Sequence, residues 1–176
     1  HGADAFHGAG GELRVEERRV SWDILDAWRA AAAETGIPSI KEFNRGNNDG
    51  CAYFQMNQRR GVRWSNAKAF LHPVRHRPNL TVITHALVTT LAFDQHDGEK
   101  RARGVRFRVK GAPEAEVRAR REVILAAGAI ASPQILQLSG VGPAALLREH
   151  GIEVVHDLPG VGANLQDHLQ IRMMYK

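Results

Sequence analysis

The residues whose types and spacing best suit chemistry lie where an apolar run ends in glycine. The run VILAA, residues 123–127, is followed by Gly128 and then by the pair Ser132 and Pro133. Glycine has no Cβ, so the backbone at Ala127 and Gly128 can pass close to a bound ligand. Ligands of open α/β sheets lie beyond the carboxyl ends of the strands. The pattern therefore predicts a cofactor contact at Ala127 and Gly128, although a buried turn that needs a small residue for packing has the same pattern.

Histidine and cysteine residues form a second set of candidates. His72 and His76 are four residues apart, which suits a metal pair on one helix face, but Pro73 interrupts any helix between them. Cys51 is the only cysteine, so it has no partner for an internal disulfide and no zinc-type spacing. We predict that Cys51 is structural and that the chain holds no metal.

The elements that must position these residues are mixed helices and strands. Residues 123–127 are apolar on both faces, which predicts a central parallel strand. Ser132 is predicted to cap a helix that has Pro133 at its first position, and Ser21 to cap an earlier helix that ends at Gly36. The other predicted elements are a hairpin of residues 51–57 and 61–65, a helix at 66–72 stopped by Pro73, strands within 78–94, 103–110 and 115–122, a helix at 143–150, and a short strand with a Gly-rich turn within 152–162.

Composition places the chain among ordinary globular proteins, because its 176 residues are 43% hydrophobic and 24% charged. No apolar run approaches the ~18–20 residues that cross a bilayer. The net charge of +5 is concentrated in residues 99–121, which suggests a nucleic-acid-binding module as one alternative. In that run, however, Arg106, Arg108 and Lys110 alternate with apolar residues, which favours a solvated strand face and no nucleic-acid partner.

A longer string gives a more specific indication. GAIASPQILQLSGVG, residues 128–142, resembles the second signature of the glucose–methanol–choline (GMC) oxidoreductase family. Five further segments are similar, in order, to segments of that family: HGAGGELRV, RWSNAKAFLHP, RPNLTVITHALVTTLAF, ARREVILAAGAI and HDLPGVGANLQDHL. The resemblance covers nearly the whole chain and is to the choline dehydrogenase-like, FAD-dependent alcohol dehydrogenases.

The resemblance implies an α/β fold with mixed elements: part of a Rossmann-like FAD-binding domain with a β-meander, and part of a substrate-binding domain. It assigns residues 1–77 to the substrate-binding domain and connecting segments, residues 78–165 to the FAD-binding domain, and residues 166–176 to a return into the substrate-binding domain. It also implies FAD as cofactor, a backbone contact of Val88 with the adenine, and oxidation of a small primary alcohol by hydride transfer to the flavin. A lyase that uses FAD without net redox chemistry is the alternative within the family.

Some family features have no match in the sequence. GAGGEL at 8–13 and GVGPAA at 140–145 imitate the G-x-G-x-x-G pyrophosphate loop, but neither follows a predicted strand. We therefore expect a middle fragment that is inactive on its own, with that loop and the catalytic His outside these residues, so that no catalytic residue is assigned. Asn164, Asp167 and His168 are expected to be mainly structural. The electron acceptor and any membrane association of the parent enzyme stay open.

Gln170 is the candidate for the substrate pocket. The resemblance places it where choline-oxidising relatives carry a Glu. A carboxylate there would offset the charge of a quaternary ammonium group, whereas the amide of Gln170 is neutral. We therefore expect an uncharged primary or aromatic alcohol as substrate, in preference to choline.

Overall fold

The first part of the chain contains helix α1, Asp23–Glu34. The computed structural model describes residues 2–96 and 98–174, with the backbone alone at His96, and the chain divides after Val82 into two units. Trp22, not Ser21, is the N-cap of α1, because its extended backbone lets its carbonyl accept the first helical hydrogen bond, from Leu25. The predicted cap was therefore wrong by one residue. The end of the helix near Gly36 agrees with the prediction.

The predicted hairpin is present but much shorter than expected. Strand β1, Gln58–Arg59, pairs antiparallel with β2, Val62–Arg63, around a turn at Gly61. The residues before β1 pair with other segments through single bridges, Ser39 with Cys51 and Glu16 with Met56. Changing partners in this way prevents a long two-stranded ribbon.

The helical stretch after the hairpin does not end at Pro73, as predicted. A π-helical turn, Ala67–Leu71, runs directly into a 3₁₀ turn, His72–Val74. Pro73 is tolerated because the first residues of a helical turn have no intrahelical partner for their N–H groups.

The second unit contains the predicted meander. Strands β3 (Ala86–His96), β4 (Glu99–Val109) and β5 (Ala115–Arg118) form an antiparallel sheet in the order β3-β4-β5. Strand β3 begins later than predicted, because the positive φ of His85 interrupts the extended backbone just before it. Both β3 and β4 also run further into the predicted turn at 94–100 than expected.

The predicted central strand at 123–127 is not formed. Among the described residues, none forms a backbone hydrogen bond with residues 122–126. A strand exists only where a second strand accepts and donates its hydrogen bonds. Val123 and Leu125 line a cavity of about 740 Å³ with Leu91 and Leu136, whereas Ile124 on the opposite face is 79% exposed. One face of the segment is thus covered by this unit and the other is open.

Helix α2, Gly128–Leu138, corrects a second prediction. It begins four residues before Ser132, with Ala127 as N-cap, so Pro133 lies inside the helix. Beyond α2, strand β6 (Val141–Gly142) pairs in parallel with β7 (His156–Asp157), and α3 (Ala144–Glu149) connects them. Leu147 of α3 is 1% exposed and is the most deeply buried large side chain among the described residues. None of the described helices is long and apolar enough to cross a membrane.

Candidate cofactor site

Gly128 is the first residue of α2 and follows the unpaired residues 122–126 and the N-cap Ala127. Its φ is +91°, a conformation that L-residues with a Cβ rarely adopt. A Cβ built on Gly128 would have no atom within 4 Å, so the space beside this backbone is empty of protein. Both features allow a ligand to approach this backbone closely, as they do at other exposed glycine turns such as Gly36 and Gly111.

Ser132 closes this turn. The backbone N–H of Ala127 donates to Oγ of Ser132 over 3.1 Å, which supplies a cap-like bond from within the helix. Sequence reasoning assigned the right residue type to capping but placed the helix start too late. Because the N–H of Ala127 is already bonded, any contact of Ala127 with a cofactor must use its carbonyl oxygen or its methyl group.

Val88 lies on β3, the outer strand of the meander. It pairs with Phe107 of β4, and a bulge follows between Val88 and Thr90. Within the described residues, no further strand pairs with the other edge of β3. Backbone groups on that edge are available, which is compatible with the backbone contact expected of Val88.

Thr89, the bulged residue beside Val88, stabilises a nearby carboxylate. Its hydroxyl lies 2.8 Å from Oε1 of Glu114 and 3.2 Å from the carbonyl oxygen of Arg106. The hydrogen bond from Thr89 and the charge of nearby Arg108 lower the pKa of Glu114. Glu114 is therefore an anion at neutral pH.

The second half of the signature, Ser139 to Gly142, has a packing role. The carbonyl oxygen of Gly140 accepts hydrogen bonds from the N–H groups of Val155 (2.8 Å) and His156 (3.0 Å). A Cβ on Gly140 would lie 2.4 Å from the carbonyl oxygen of Glu153, so only glycine fits. Sequence analysis did not distinguish this packing half of the string from the half near Gly128.

A second cavity, of about 370 Å³, lies beside the first turns of α2. Ala129, Ile130 and Pro133 line one side, and the Gly-rich turn at Gly162 and Ala163 lines the other. Nε2 of Gln137 donates to the carbonyl oxygen of Val161 over 3.0 Å and so ties this turn to α2. The periodicity of α2 gave no indication of Gln137, because its partner is in a loop.

The structure does not gather the other predicted residues around Gly128. Gln170 is exposed in the irregular segment after the Gly-rich turn, as are Asp167 and His168. The only hydrogen bond between these three is local, from the N–H of His168 to Oδ1 of Asp167. Asn164 has a φ of +56°, and its structural role stays a prediction.

The thiol and imidazole candidates remain outside any site. Cys51 is buried, and its N–H donates to the carbonyl oxygen of Pro38 over 2.8 Å, which fits a structural residue. Among the described residues, no group of three or more His, Cys, Asp or Glu side chains is arranged to hold a metal ion.

The basic run is paired with carboxylates. Glu116 contacts Arg103, Arg106 and Arg118 at 3.3–3.7 Å, and Glu114 contacts Arg108 at 3.3 Å. These pairs run along a solvent-facing part of β4 and β5, where ion pairs contribute little to stability. The geometry supports the interpretation of residues 99–121 as a solvated strand face.

The second unit thus combines an antiparallel meander with a glycine turn that leads into a helix, which is a mixed α/β arrangement. The chain belongs to the GMC oxidoreductase family, whose characteristic sequence it matches over residues 3–170. It is 45% identical to the oxygen-dependent choline dehydrogenase of Ectopseudomonas mendocina (strain ymp), over 99% of this chain and 31% of that protein. It is 43% identical to the alcohol dehydrogenase [acceptor] of Pseudomonas putida, over 96% of this chain and 30% of that protein.

A solved structure supports the same assignment. The FAD-dependent oxidoreductase from Chaetomium thermophilum matches with a TM-score of 0.79 and 32% identity, over 87% of this chain and 26% of that chain. The chain thus spans about a third of the length of the curated relatives it matches. The expected family and the mixed α/β fold class are confirmed.

Proposed function

We propose that this chain is part of an FAD-dependent enzyme that oxidises a primary alcohol to an aldehyde. The observation that carries the proposal is the turn at Gly128, with its positive φ and the open space beside it, in a chain of the GMC family. The relatives named above are dehydrogenases and an FAD-dependent oxidoreductase, which favours redox chemistry over the lyase alternative.

The residues of the site fit FAD. The backbone at Ala127 and Gly128 would lie against the cofactor, and the free edge of β3 at Val88 would offer backbone groups to the adenine. When bound, FAD supplies the acceptor for the hydride that leaves the carbinol carbon. This chain's own contribution is to hold that cofactor in place, and we assign no proton-abstracting base to its residues.

We place residues 1–77 and 166–176 on the substrate side and residues 78–165 on the FAD side. The division of the structure after Val82 lies close to the first of these boundaries and supports it. Limited proteolysis with and without FAD tests the assignment: FAD should protect cleavage sites within 83–165 more than those within 2–77. Equal protection of both parts would contradict it.

We further propose an uncharged primary or aromatic alcohol as substrate. Gln170 supports this, because a neutral amide cannot offset the charge of a quaternary ammonium group. The experiment uses the full-length enzyme and compares the FAD-dependent formation of carbonyl product from uncharged primary alcohols, from choline and from secondary alcohols. The highest kcat/KM is expected for an uncharged primary alcohol, and a clear preference for choline would overturn the substrate proposal alone.

A further inference from the structure

Ser139 joins α2 to the strand that carries Val88. Its Oγ accepts the backbone N–H of Leu91 over 2.7 Å and lies 2.5 Å from the carbonyl oxygen of Ile135, to which it donates. Because the hydroxyl proton is committed to Ile135, a lone pair of the oxygen is left to face Leu91. The bond spans 48 positions in the sequence.

This bond satisfies a donor that no strand can reach. Leu91 is 9% exposed, and its N–H points away from β4, off the open edge of β3. A buried N–H without an acceptor destabilises the folded state. Ser139 thus supplies one hydrogen-bond acceptor to the edge of β3, where a neighbouring strand would supply several.

The bond from Leu91 to Ser139 joins the two elements that carry the proposed cofactor contacts, β3 with Val88 and α2 with Gly128. Leu91 is three residues from Val88, roughly 10 Å along a strand. Ser139 is eleven residues from Gly128, roughly 16 Å along a helix. The bulge between Val88 and Thr90 interrupts the β3–β4 ladder, so the bond of Ser139 to Leu91 and the pairs at Ala86–Val88 lie on opposite sides of the bulge.

We propose that Ser139 is a positioning residue for the cofactor: its hydrogen bond to Leu91 fixes the placement of Val88 relative to Gly128. This inference rests on the proposed function, since Val88 and Gly128 are the proposed FAD contacts. Ser139 itself touches neither the cofactor nor the substrate in this account.

The first test needs no cofactor and compares amide NMR spectra of Ser139→Ala, Ser139→Thr and wild type. In Ser139→Ala the Leu91 amide should exchange about tenfold faster, and the resonances of both Val88 and Gly128 should shift. Ser139→Thr keeps the hydroxyl, so its Leu91 exchange rate and its Val88 and Gly128 resonances should match those of wild type. Gln137→Leu, which removes a hydrogen bond from the same turn of α2 but not one to β3, should leave Val88 unshifted. Changes confined to residues near 91 and 139 would overturn the proposal.

The second test measures the FAD affinity of the full-length enzyme that contains this chain, at a temperature where every variant is folded. Ser139→Ala should raise the FAD dissociation constant at least fivefold, whereas Leu147→Val, a destabilising change in the buried core, should not. Equal weakening by both variants would show that Ser139 is merely structural. If wild type binds no FAD, the proposed function fails, and the positioning role is still decided by the NMR comparison.

Discussion

The backbone N–H of Ala127 and the Oγ of Ser132 are 3.1 Å apart, and this bond closes the turn that presents Gly128. We expect Ser132→Ala to lower the free energy of unfolding by about 1 kcal/mol, because the N–H of Ala127 loses its acceptor. Ser132→Thr keeps the hydroxyl and is the control. Denaturant titration followed by circular dichroism measures both, and equal stability of the two variants would show that the bond is unimportant.

Gly128→Ala should destabilise the protein through its backbone. A Cβ at φ +91° costs roughly 1–2 kcal/mol, although it meets no neighbouring atom. Gly160→Ala is the matched control, since Gly160 also has open space around it but no positive φ. If FAD passes close to Gly128, the Ala variant should also bind FAD more weakly than the control does. Unchanged FAD affinity would remove Gly128 from the site.

The carboxylate of Asp4, in the first unit, should make the folding stability depend on acidic pH. Hydrogen bonds, the largest from the N–H of Phe6 and the next from His7, lower the pKa of Asp4 to about 2. A depressed pKa adds stability above the unfolded-state value near 3.8, and that stability is lost as pH falls towards 2. Asp4→Asn should therefore flatten the dependence of stability on pH between about 4 and 2. Asp49→Asn, an exposed carboxylate change in the same unit, should not, and identical pH profiles for Asp4→Asn and wild type would contradict the account.

The parts of the fold that depend on local pattern were predictable, and those that depend on distant partners were not. The meander follows from alternating and β-branched residues in 86–109, which specify strands locally. Residues 123–127 have the same apolar character but pair with no strand in the part of the chain that the structure describes, and sequence alone does not reveal whether a pairing strand is present. The bond from Leu91 to Ser139 joins residues far apart in the chain, so no spacing rule indicated it. At the candidate site, Gly128 could be chosen from the sequence because the turn before a helix requires glycine locally. The supporting role of Ser139 could not be predicted, because its partner Leu91 is distant in the sequence.

In the full-length enzyme that contains this chain, Gln170→Glu should shift substrate preference towards choline-like cations. A carboxylate about 4 Å from a cationic headgroup is worth roughly 4 kcal/mol at an effective dielectric near 20, and desolvation removes most of it. A net gain of about 1 kcal/mol corresponds to a roughly fivefold rise in kcat/KM for choline relative to an uncharged alcohol of similar size. Gln166→Glu adds the same charge four residues earlier and should leave the ratio near that of wild type. Equal ratios for the two variants would show that Gln170 does not face the substrate.

The most direct measurement for the central claim is anaerobic reduction of the flavin by substrate. The FAD-loaded full-length enzyme that contains this chain is mixed without oxygen with an uncharged primary alcohol, and flavin absorbance and aldehyde are followed together. We predict that the oxidised flavin bleaches at a rate that saturates with alcohol concentration, with one aldehyde formed per flavin reduced. Bound flavin that stays oxidised with every primary alcohol tested, choline included, would contradict the assignment of an alcohol-oxidising enzyme.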